Sequence, residues 1–221
     1  AELDAWYLLS FVFQISRTAY LVYGDEEADE GKGRHYTKLI TLRAEHIPLQ
    51  YITGTQEFMG LEFKVTPDVL IPRQDTEILA EEVLKACDGK SVLDMCTGSG
   101  CIIISMARLG KPCKTVGVDI SLEALTVARD NAAILGVNTQ FIQSNLFEKV
   151  EGSFNIIISN PPYIPTKDIE SLMPEVKNHE PALALDGDKD GLYFYREIAA
   201  QSKKHLERNG RLLLEIGYDQ A

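Results

Sequence analysis

The chain has 221 residues, of which 45% are hydrophobic and 25% are charged. A chain of this length and composition can bury a sizeable core, which excludes a disordered or fibrous protein. The net charge of -11 argues against broad, sequence-independent DNA binding, because such binding depends on phosphate neutralisation by Lys and Arg.

The cysteine pattern favours reduced thiols over a metal site. The cysteines are Cys87, Cys96, Cys101 and Cys113. They form no CxxC pair, and no His stands at zinc-ligand spacing, so we expect no metal and a cytoplasmic location. No apolar run reaches membrane-spanning length, and the apolar stretch 6–15 follows Glu2 and Asp4 instead of the basic residues of a secretion signal.

Residues 1–50 are predicted to form a helical domain. Apolar residues recur at helix spacing in the first helix: Leu8, Leu9, Val12, Ile15 and Ala19. A second helix is predicted over 36–45. The stretch 24–31 has consecutive acidic residues with Gly at both ends, whereas a calcium loop alternates them, so it is predicted to be a solvated loop.

Residues 51–72 are predicted to connect two domains. The sequence around Gly60 indicates a short β-hairpin, and Pro67 and Pro72 bracket an extended segment. Asp75 or Thr76 is then expected to cap a helix that runs to about residue 87.

After residue 90, apolar strands alternate with helices, which predicts a parallel sheet covered on both faces. The predicted strands are 91–97, 115–120, 139–144, 154–160 and 211–217, and the predicted helices are 101–109, 122–135 and 191–206. Residues 73–221 are therefore expected to be an α/β, Rossmann-like domain.

A Gly-rich turn between the first predicted strand and helix indicates a nucleoside ligand. The segment 94–100 reads Asp-Met-Cys-Thr-Gly-Ser-Gly, but the full dinucleotide spacing is absent, since Ile103 stands at the third Gly position. Asp119 ends the second strand, 21 residues after Gly98. A carboxylate there can accept hydrogen bonds from both ribose hydroxyls.

The segment Asn160-Pro161-Pro162-Tyr163 follows the fourth strand and suits a planar, conjugated NH2 group. Asn160 Oδ1 and the Pro161 carbonyl could each accept one N–H, while Tyr163 packs on the plane. The two prolines stiffen the loop and remove backbone donors. A methyl group held in line could then be transferred by positioning and electrostatics alone.

Taken in order, these motifs resemble the HemK/PrmC family, the release factor glutamine methyltransferases. The resemblance extends to the segments 48–54, 58–63 and 69–73, and to 180–181, 190–192 and 213–217, so it covers nearly the whole chain. It implies a class I S-adenosylmethionine-dependent methyltransferase fold with a small helical N-terminal domain that helps to recognise the substrate. The implied activity is methylation of the side-chain nitrogen (N5) of Gln in the Gly-Gly-Gln motif of class I peptide chain release factors, with S-adenosylhomocysteine as product.

The resemblance also implies roles for individual residues. The implied cofactor-binding residues are Cys96, Thr97, Gly98, Ser99, Gly100, Asp119, Asn145, Leu146 and Asn160. The implied substrate-binding residues are Asn160, Pro161, Pro162 and Tyr163, among which Asn160, Pro161 and Tyr163 are the catalytic ones. A monomer without membrane or direct nucleic-acid partners is expected.

The chain departs from the family pattern in three places. Cys96 stands where Gly is usual, and Asn145 where Asp is usual. Only five sheet strands are predicted, whereas the family fold resembles a seven-stranded sheet, so the protein is expected to continue past Ala221 with the remaining pair.

Several alternatives stay open on the residues alone. The acceptor could be a ribosomal protein glutamine or an exocyclic amino group of a nucleic-acid base, since enzymes that flip bases use similar tetrapeptides. The net charge and the lack of a basic stretch longer than Lys203-Lys204 argue against a base. A module that binds the nucleoside ligand without chemistry is a further alternative.

Overall fold

The N-terminal part of the computed structural model, which describes residues 2–220, is helical as predicted. Its helices are α1 (Glu2–Phe13), α2 (Arg17–Tyr23), α3 (Glu30–Ala44) and α4 (Leu49–Thr53). The predicted first helix, with apolar residues from Leu8 to Ala19, is therefore two helices, because the chain turns through a positive φ of 57° at Gln14 and Ser16 caps α2. Leu8 and Val12 of α1 pack against Leu39 of α3 in a small core of their own. Arg43 of α3 donates to Asp4 Oδ2 at 2.6 Å and pairs with Glu175 at 2.7 Å, which ties the helices to the larger domain.

Helix α3 begins six residues before the predicted start at residue 36. Asp29 caps it, since its side chain accepts a hydrogen bond from the Lys32 backbone N–H at 2.8 Å. The predicted acidic loop 24–31 is therefore too long, because Glu30 and Gly31 belong to the helix.

The predicted hairpin is confirmed and packs on the larger domain. Its strands are β1 (Thr55–Phe58) and β2 (Leu61–Lys64). The turn residues Met59 and Gly60 have φ of 53° and 71°, which is typical of a type I′ turn. Phe58 and Phe63 lie in the core beneath the sheet, so the connector is fixed to the domain that follows it.

The larger domain is a five-stranded, fully parallel sheet with helices on both faces, as predicted. The strands are β3 (Ser91–Met95), β4 (Lys114–Asp119), β5 (Gln140–Gln143), β6 (Phe154–Ser159) and β7 (Leu206–Leu214), in the spatial order β5-β4-β3-β6-β7. The helices are α5 (Gln74–Leu84), α6 (Cys101–Leu109), α7 (Leu122–Ile134), α8 (Pro174–Lys177), α9 (Ala182–Leu185) and α10 (Tyr193–Ser202), with a 3-10 turn at Thr166–Ser171. The expected continuation beyond Ala221 lies outside the described residues.

Several predicted boundaries in the larger domain are wrong. Helix α5 ends at Leu84 instead of residue 87, and its cap position is Arg73, so Asp75 and Thr76 lie in its first turn. Helix α10 ends at Ser202 instead of residue 206, and β7 begins at Leu206 instead of residue 211. The start of β7 differs because the strand is irregular: Leu206 pairs with Phe154, the chain then turns through a positive φ of 65° at Asn209, and regular pairing resumes after it.

No helix among residues 2–220 is both long enough and apolar enough to span a membrane. Within the same residues, no group of three or more His, Cys, Asp or Glu side chains is arranged to hold a metal ion.

Candidate active site

The two predicted motifs meet at the point where the strand order of the sheet reverses. Strands β3 and β6 are neighbours, although β4 and β5 separate them in sequence. Ligands of open α/β sheets bind in the crevice outside the carboxyl ends of such strands. A cavity of about 380 Å³ lies there, between the ends of β3, β4 and β6 and the connector residues 67–70.

The Gly-rich turn has three left-handed residues in alternate positions. Cys96, Gly98 and Gly100 have φ of 60°, 52° and 79°. A side chain at Gly98 would meet no atom within 4 Å, so this position keeps the wall of the cavity open. At Gly100 a Cβ would lie 2.7 Å from Ile104 Cδ1, so this Gly allows α6 to pack closely. The positive φ at Cys96 also gives a physical reason for Gly being usual there.

Other residues of the turn hold its shape and do not line the cavity. Thr97 Oγ1 donates to Asp94 Oδ2 at 2.6 Å, and Asn131 Nδ2 donates to the Ser99 carbonyl at 2.9 Å. Asp94 is completely buried, and its Oδ1 has no partner among residues 2–220. Burial raises the pKa of Asp94 to about 7.

Asp119 lies at the tip of β4, against the Gly-rich turn, and lines the cavity. Its Oδ2 accepts from the Gly98 N–H at 2.8 Å and its Oδ1 from the Ser121 N–H at 3.0 Å. Burial raises its pKa above the usual range of an Asp. Each oxygen keeps a second lone pair for a ligand. Ser121, and not Asp119, caps α7, since its hydroxyl accepts from the Ala124 N–H at 3.0 Å.

Much of the lining of the cavity is apolar. Val69, Ile120 and Leu146 line it, and Leu146 holds a left-handed φ of 47° that turns the chain at this edge. Asn145 is at the rim, and its exposed amide donates to Glu148 Oε1 at 2.9 Å.

Asn160 lies between two cavities. It lines the first together with Pro162, and it lines a second cavity of about 200 Å³ together with Pro161 and Tyr163. Asn160 Nδ2 donates to Thr76 Oγ1 at 3.1 Å, and its Oδ1 has no hydrogen-bond partner among residues 2–220. The Pro161 carbonyl accepts no hydrogen bond among the residues described. Asn160 and Pro161, which both line the second cavity, thus each keep one acceptor without a partner from the described residues.

Sequence reasoning assigned no role to the ion pair that holds the connector over the cavity. Arg73 pairs with Glu180 at 2.5 Å, and Glu180 also accepts from the Ile71 N–H at 3.3 Å. The Tyr51 hydroxyl donates to the Val69 carbonyl at 2.7 Å. The segments 69–73 and 180–181 both belong to the family resemblance, but nothing local in the sequence indicates that they pair.

None of the sequence motifs that predict the site includes Asn131. It is completely buried, its Oδ1 accepts from the Lys64 N–H at 2.7 Å, and its Nδ2 donates to the Lys64 carbonyl at 3.0 Å as well as to Ser99. One side chain therefore joins the hairpin to the Gly-rich turn. A buried Asn on an otherwise apolar helix face was the signal that could have identified it.

Two family models match the chain. Residues 1–54 match the PrmC N-terminal domain, and residues 73–178 match the methyltransferase small domain. The chain is 43% identical to a release factor glutamine methyltransferase from Geobacter sulfurreducens, over all of this chain and 78% of the relative. It is 42% identical to a protein of the same name from Clostridium acetobutylicum, over 99% of this chain and 79% of the relative.

Solved structures share the fold at low sequence identity. A methyltransferase from Pyrococcus furiosus has a TM-score of 0.55 at 19% identity, covering 85% of this chain and 80% of its own. A ribosomal protein L11 methylase from Lactobacillus delbrueckii has a TM-score of 0.52 at 22% identity, covering 75% of this chain and 73% of its own.

Proposed function

This chain belongs to the release factor glutamine methyltransferase family, and on that premise we propose that it methylates the glutamine side-chain nitrogen in the Gly-Gly-Gln motif of class I peptide chain release factors, using S-adenosylmethionine. The observation that carries the proposal is the position of Asn160. Asn160 lines both cavities, and its Oδ1 and the Pro161 carbonyl have no hydrogen-bond partner among the described residues.

The first cavity fits S-adenosylmethionine. Its volume lies within the range of ~300–1,000 Å³ that is typical of small-molecule sites. Asp119 offers carboxylate lone pairs to the ribose hydroxyls, and Leu146, Ile120 and Val69 offer apolar surface to the adenine. Gly98 leaves free the space that any side chain would occupy. Of the residues expected from sequence to hold the cofactor, Thr97, Ser99 and Gly100 contribute by shaping the turn.

The second cavity suits the substrate amide. An amide nitrogen is a poor nucleophile because its lone pair is delocalised into its carbonyl. Asn160 Oδ1 and the Pro161 carbonyl would each accept one N–H, which increases electron density on nitrogen and turns its lone pair towards the first cavity. Tyr163 would pack beside the amide plane, and the ring of Pro162 would close the first cavity at this point.

The reaction then needs alignment more than acid–base groups. When bound, S-adenosylmethionine supplies a methyl group on a sulfonium centre, whose C–S bonding pair stays on sulfur to give neutral S-adenosylhomocysteine. The nitrogen lone pair forms the new N–C bond, and one of the two N–H protons leaves to water. The chain contributes two fixed acceptors and a rigid Pro-Pro segment, which hold the nitrogen in line.

We further propose that the release factor is the partner and that the enzyme acts as a cytoplasmic monomer. The division into a recognition domain 1–50, a connector 51–72 and a catalytic domain from 73 is part of this proposal. The Arg43–Glu175 ion pair supports it, because it holds the N-terminal helices close to the substrate side of the catalytic domain.

The test is an incubation of the protein with methyl-labelled S-adenosylmethionine and either purified release factor, ribosomal proteins or duplex DNA. Mass spectrometry should find a single methyl group on the Gln of Gly-Gly-Gln. Asn160→Ala should lose turnover while keeping most of its cofactor affinity, and the exposed Asn138→Ala should match the parent. Label in ribosomal protein or DNA instead would overturn the proposed substrate, and equal turnover of Asn160→Ala would overturn the role of Asn160.

A further inference from the structure

A half-buried carboxylate, that of Glu215, lies beside the Asn-Pro-Pro-Tyr segment, and the mechanism above does not use it. Glu215 follows β7, and its N–H donates to the Ser159 carbonyl at 3.0 Å, directly before Asn160. The Tyr163 hydroxyl is 3.5 Å from Glu215 Oε1, and the Tyr195 hydroxyl donates to the Glu215 carbonyl at 3.0 Å. The other carboxylate oxygen, Oε2, is buried and has no partner among residues 2–220.

Thr76 is the complementary group. It is 3% exposed, and its Oγ1 accepts a hydrogen bond from Asn160 Nδ2. A hydroxyl that accepts still has a proton to donate, and this proton has no acceptor among the described hydrogen bonds. Burial raises the pKa of Glu215, whereas the side chains of Thr76, Tyr163 and Asn160 lower it. The nearby Asp75 carboxylate raises it further.

The destination of the Thr76 proton decides which end of Asn160 faces the substrate. If Thr76 donated to Asn160 Oδ1, the side-chain amide of Asn160 would be rotated and would present its own NH2 group to the substrate NH2 group. Both groups are hydrogen-bond donors, so no hydrogen bond could form between them. If Thr76 donates elsewhere, its oxygen is committed to accepting from Asn160 Nδ2, and Oδ1 faces the second cavity. An ionised carboxylate can only accept, so it imposes the second arrangement.

We propose that Glu215 is a positioning residue whose carboxylate accepts a hydrogen bond from the Thr76 hydroxyl and thereby directs Asn160 Oδ1 at the acceptor nitrogen. This rests on the proposed function in one respect, namely that the methyl acceptor is an NH2 group. Glu215 acts through Thr76 and Asn160 and itself touches neither substrate nor cofactor. The Tyr163 hydroxyl, on Glu215 Oε1, links the same carboxylate to the other side of the substrate cavity.

The kinetic test uses Thr76→Val, which removes the hydroxyl at constant shape, and Glu215→Met, which removes the acceptor at similar volume. Each should lower kcat about 100-fold, because a misdirected Asn160 misaligns the nitrogen. Cofactor affinity, KM and Tm should stay close to the parent values. Thr76→Ser keeps the hydroxyl and should recover most of the activity. The double variant should be no slower than the slower single variant, since both break one chain of hydrogen bonds.

A second readout does not depend on turnover. The side-chain NH2 resonances of Asn160, assigned by their loss in Asn160→Ala, should show slow hydrogen exchange in the parent and fast exchange in both variants. Unchanged exchange, or a kcat within twofold of the parent in Thr76→Val, would overturn the positioning role. Failure of the parent to methylate release factor would overturn the proposed function alone, because the exchange measurement still decides the role of Glu215.

Discussion

Replacing Asp94 by Asn should remove a pH-dependent cost to stability. Asp94 is completely buried under the Gly-rich turn, with Thr97 donating to one oxygen and no partner on the other. Burial raises its pKa from 3.8 to about 7, and Asp119 acts in the same direction. The folded protein therefore holds this proton more tightly than the unfolded chain does, and the free energy of unfolding falls as the pH rises from about 4 to about 7.

The magnitude follows from the shift. About three pKa units at ~1.4 kcal/mol each give a total cost of about 4 kcal/mol once the pH exceeds the folded-state pKa. At pH 5 this cost has reached only about 1–2 kcal/mol. Between pH 5 and pH 8 the parent should thus lose about 3 kcal/mol at this site. Asn is neutral at every pH in this range, so Asp94→Asn should lose no free energy of unfolding at this site.

Urea unfolding of the cofactor-free parent and Asp94→Asn at several pH values between 5 and 8 measures this difference. The free energy of unfolding of Asp94→Asn should rise steadily relative to that of the parent as the pH increases from 5 to 8. Asp25→Asn, in the exposed loop after α2, is the matched control and should follow the parent curve. Parallel curves for the parent and Asp94→Asn would refute the reasoning, because they would mean that Asp94 ionises equally in both states.

Three further substitutions test the cavity and its supports. Gly98→Ala should abolish cofactor binding in calorimetry while the fold persists, because the positive φ strains an alanine by about 1 kcal/mol and its Cβ enters the cavity. Arg73→Met should lower the free energy of unfolding by about 3 kcal/mol, since it leaves the buried Glu180 without its cation. Arg196→Met breaks an exposed ion pair and should change the free energy of unfolding far less in the same urea assay. Asn131→Leu should cost about 3 kcal/mol and also weaken cofactor affinity, and a preserved affinity would show that the Gly-rich turn keeps its shape unaided.

The sequence predicted the architecture well because its signals are local. Apolar strands, a two-residue turn at Gly60 and a Gly-rich strand-to-helix turn each depend on a few neighbouring residues. The boundaries at Asp29 and Asn209 were missed because a single capping side chain and a single left-handed residue decide them. Neither of these features changes the periodic pattern of apolar residues from which helices and strands are predicted.

The candidate site was predicted only in part, for a related reason. Cys96, Gly98, Asp119 and Asn160 all line the main cavity, because strand ends must meet at one edge of a parallel sheet. Contacts between distant segments could not be predicted in this way. Arg73 and Glu180 are 107 residues apart, and Asn160 and Thr76 are 84 residues apart. Only the folded chain brings these pairs together.

Asn131 has a thermodynamic consequence beyond its contribution to stability. Its three hydrogen bonds join Lys64, at the end of the hairpin, to Ser99, inside the Gly-rich turn. The hairpin in turn carries the N-terminal helices. Any movement of those helices that displaces Lys64 therefore changes the free energy of the cofactor turn. If cofactor binding favours one conformation of that turn, linkage requires that it also favours the helix positions that stabilise this conformation.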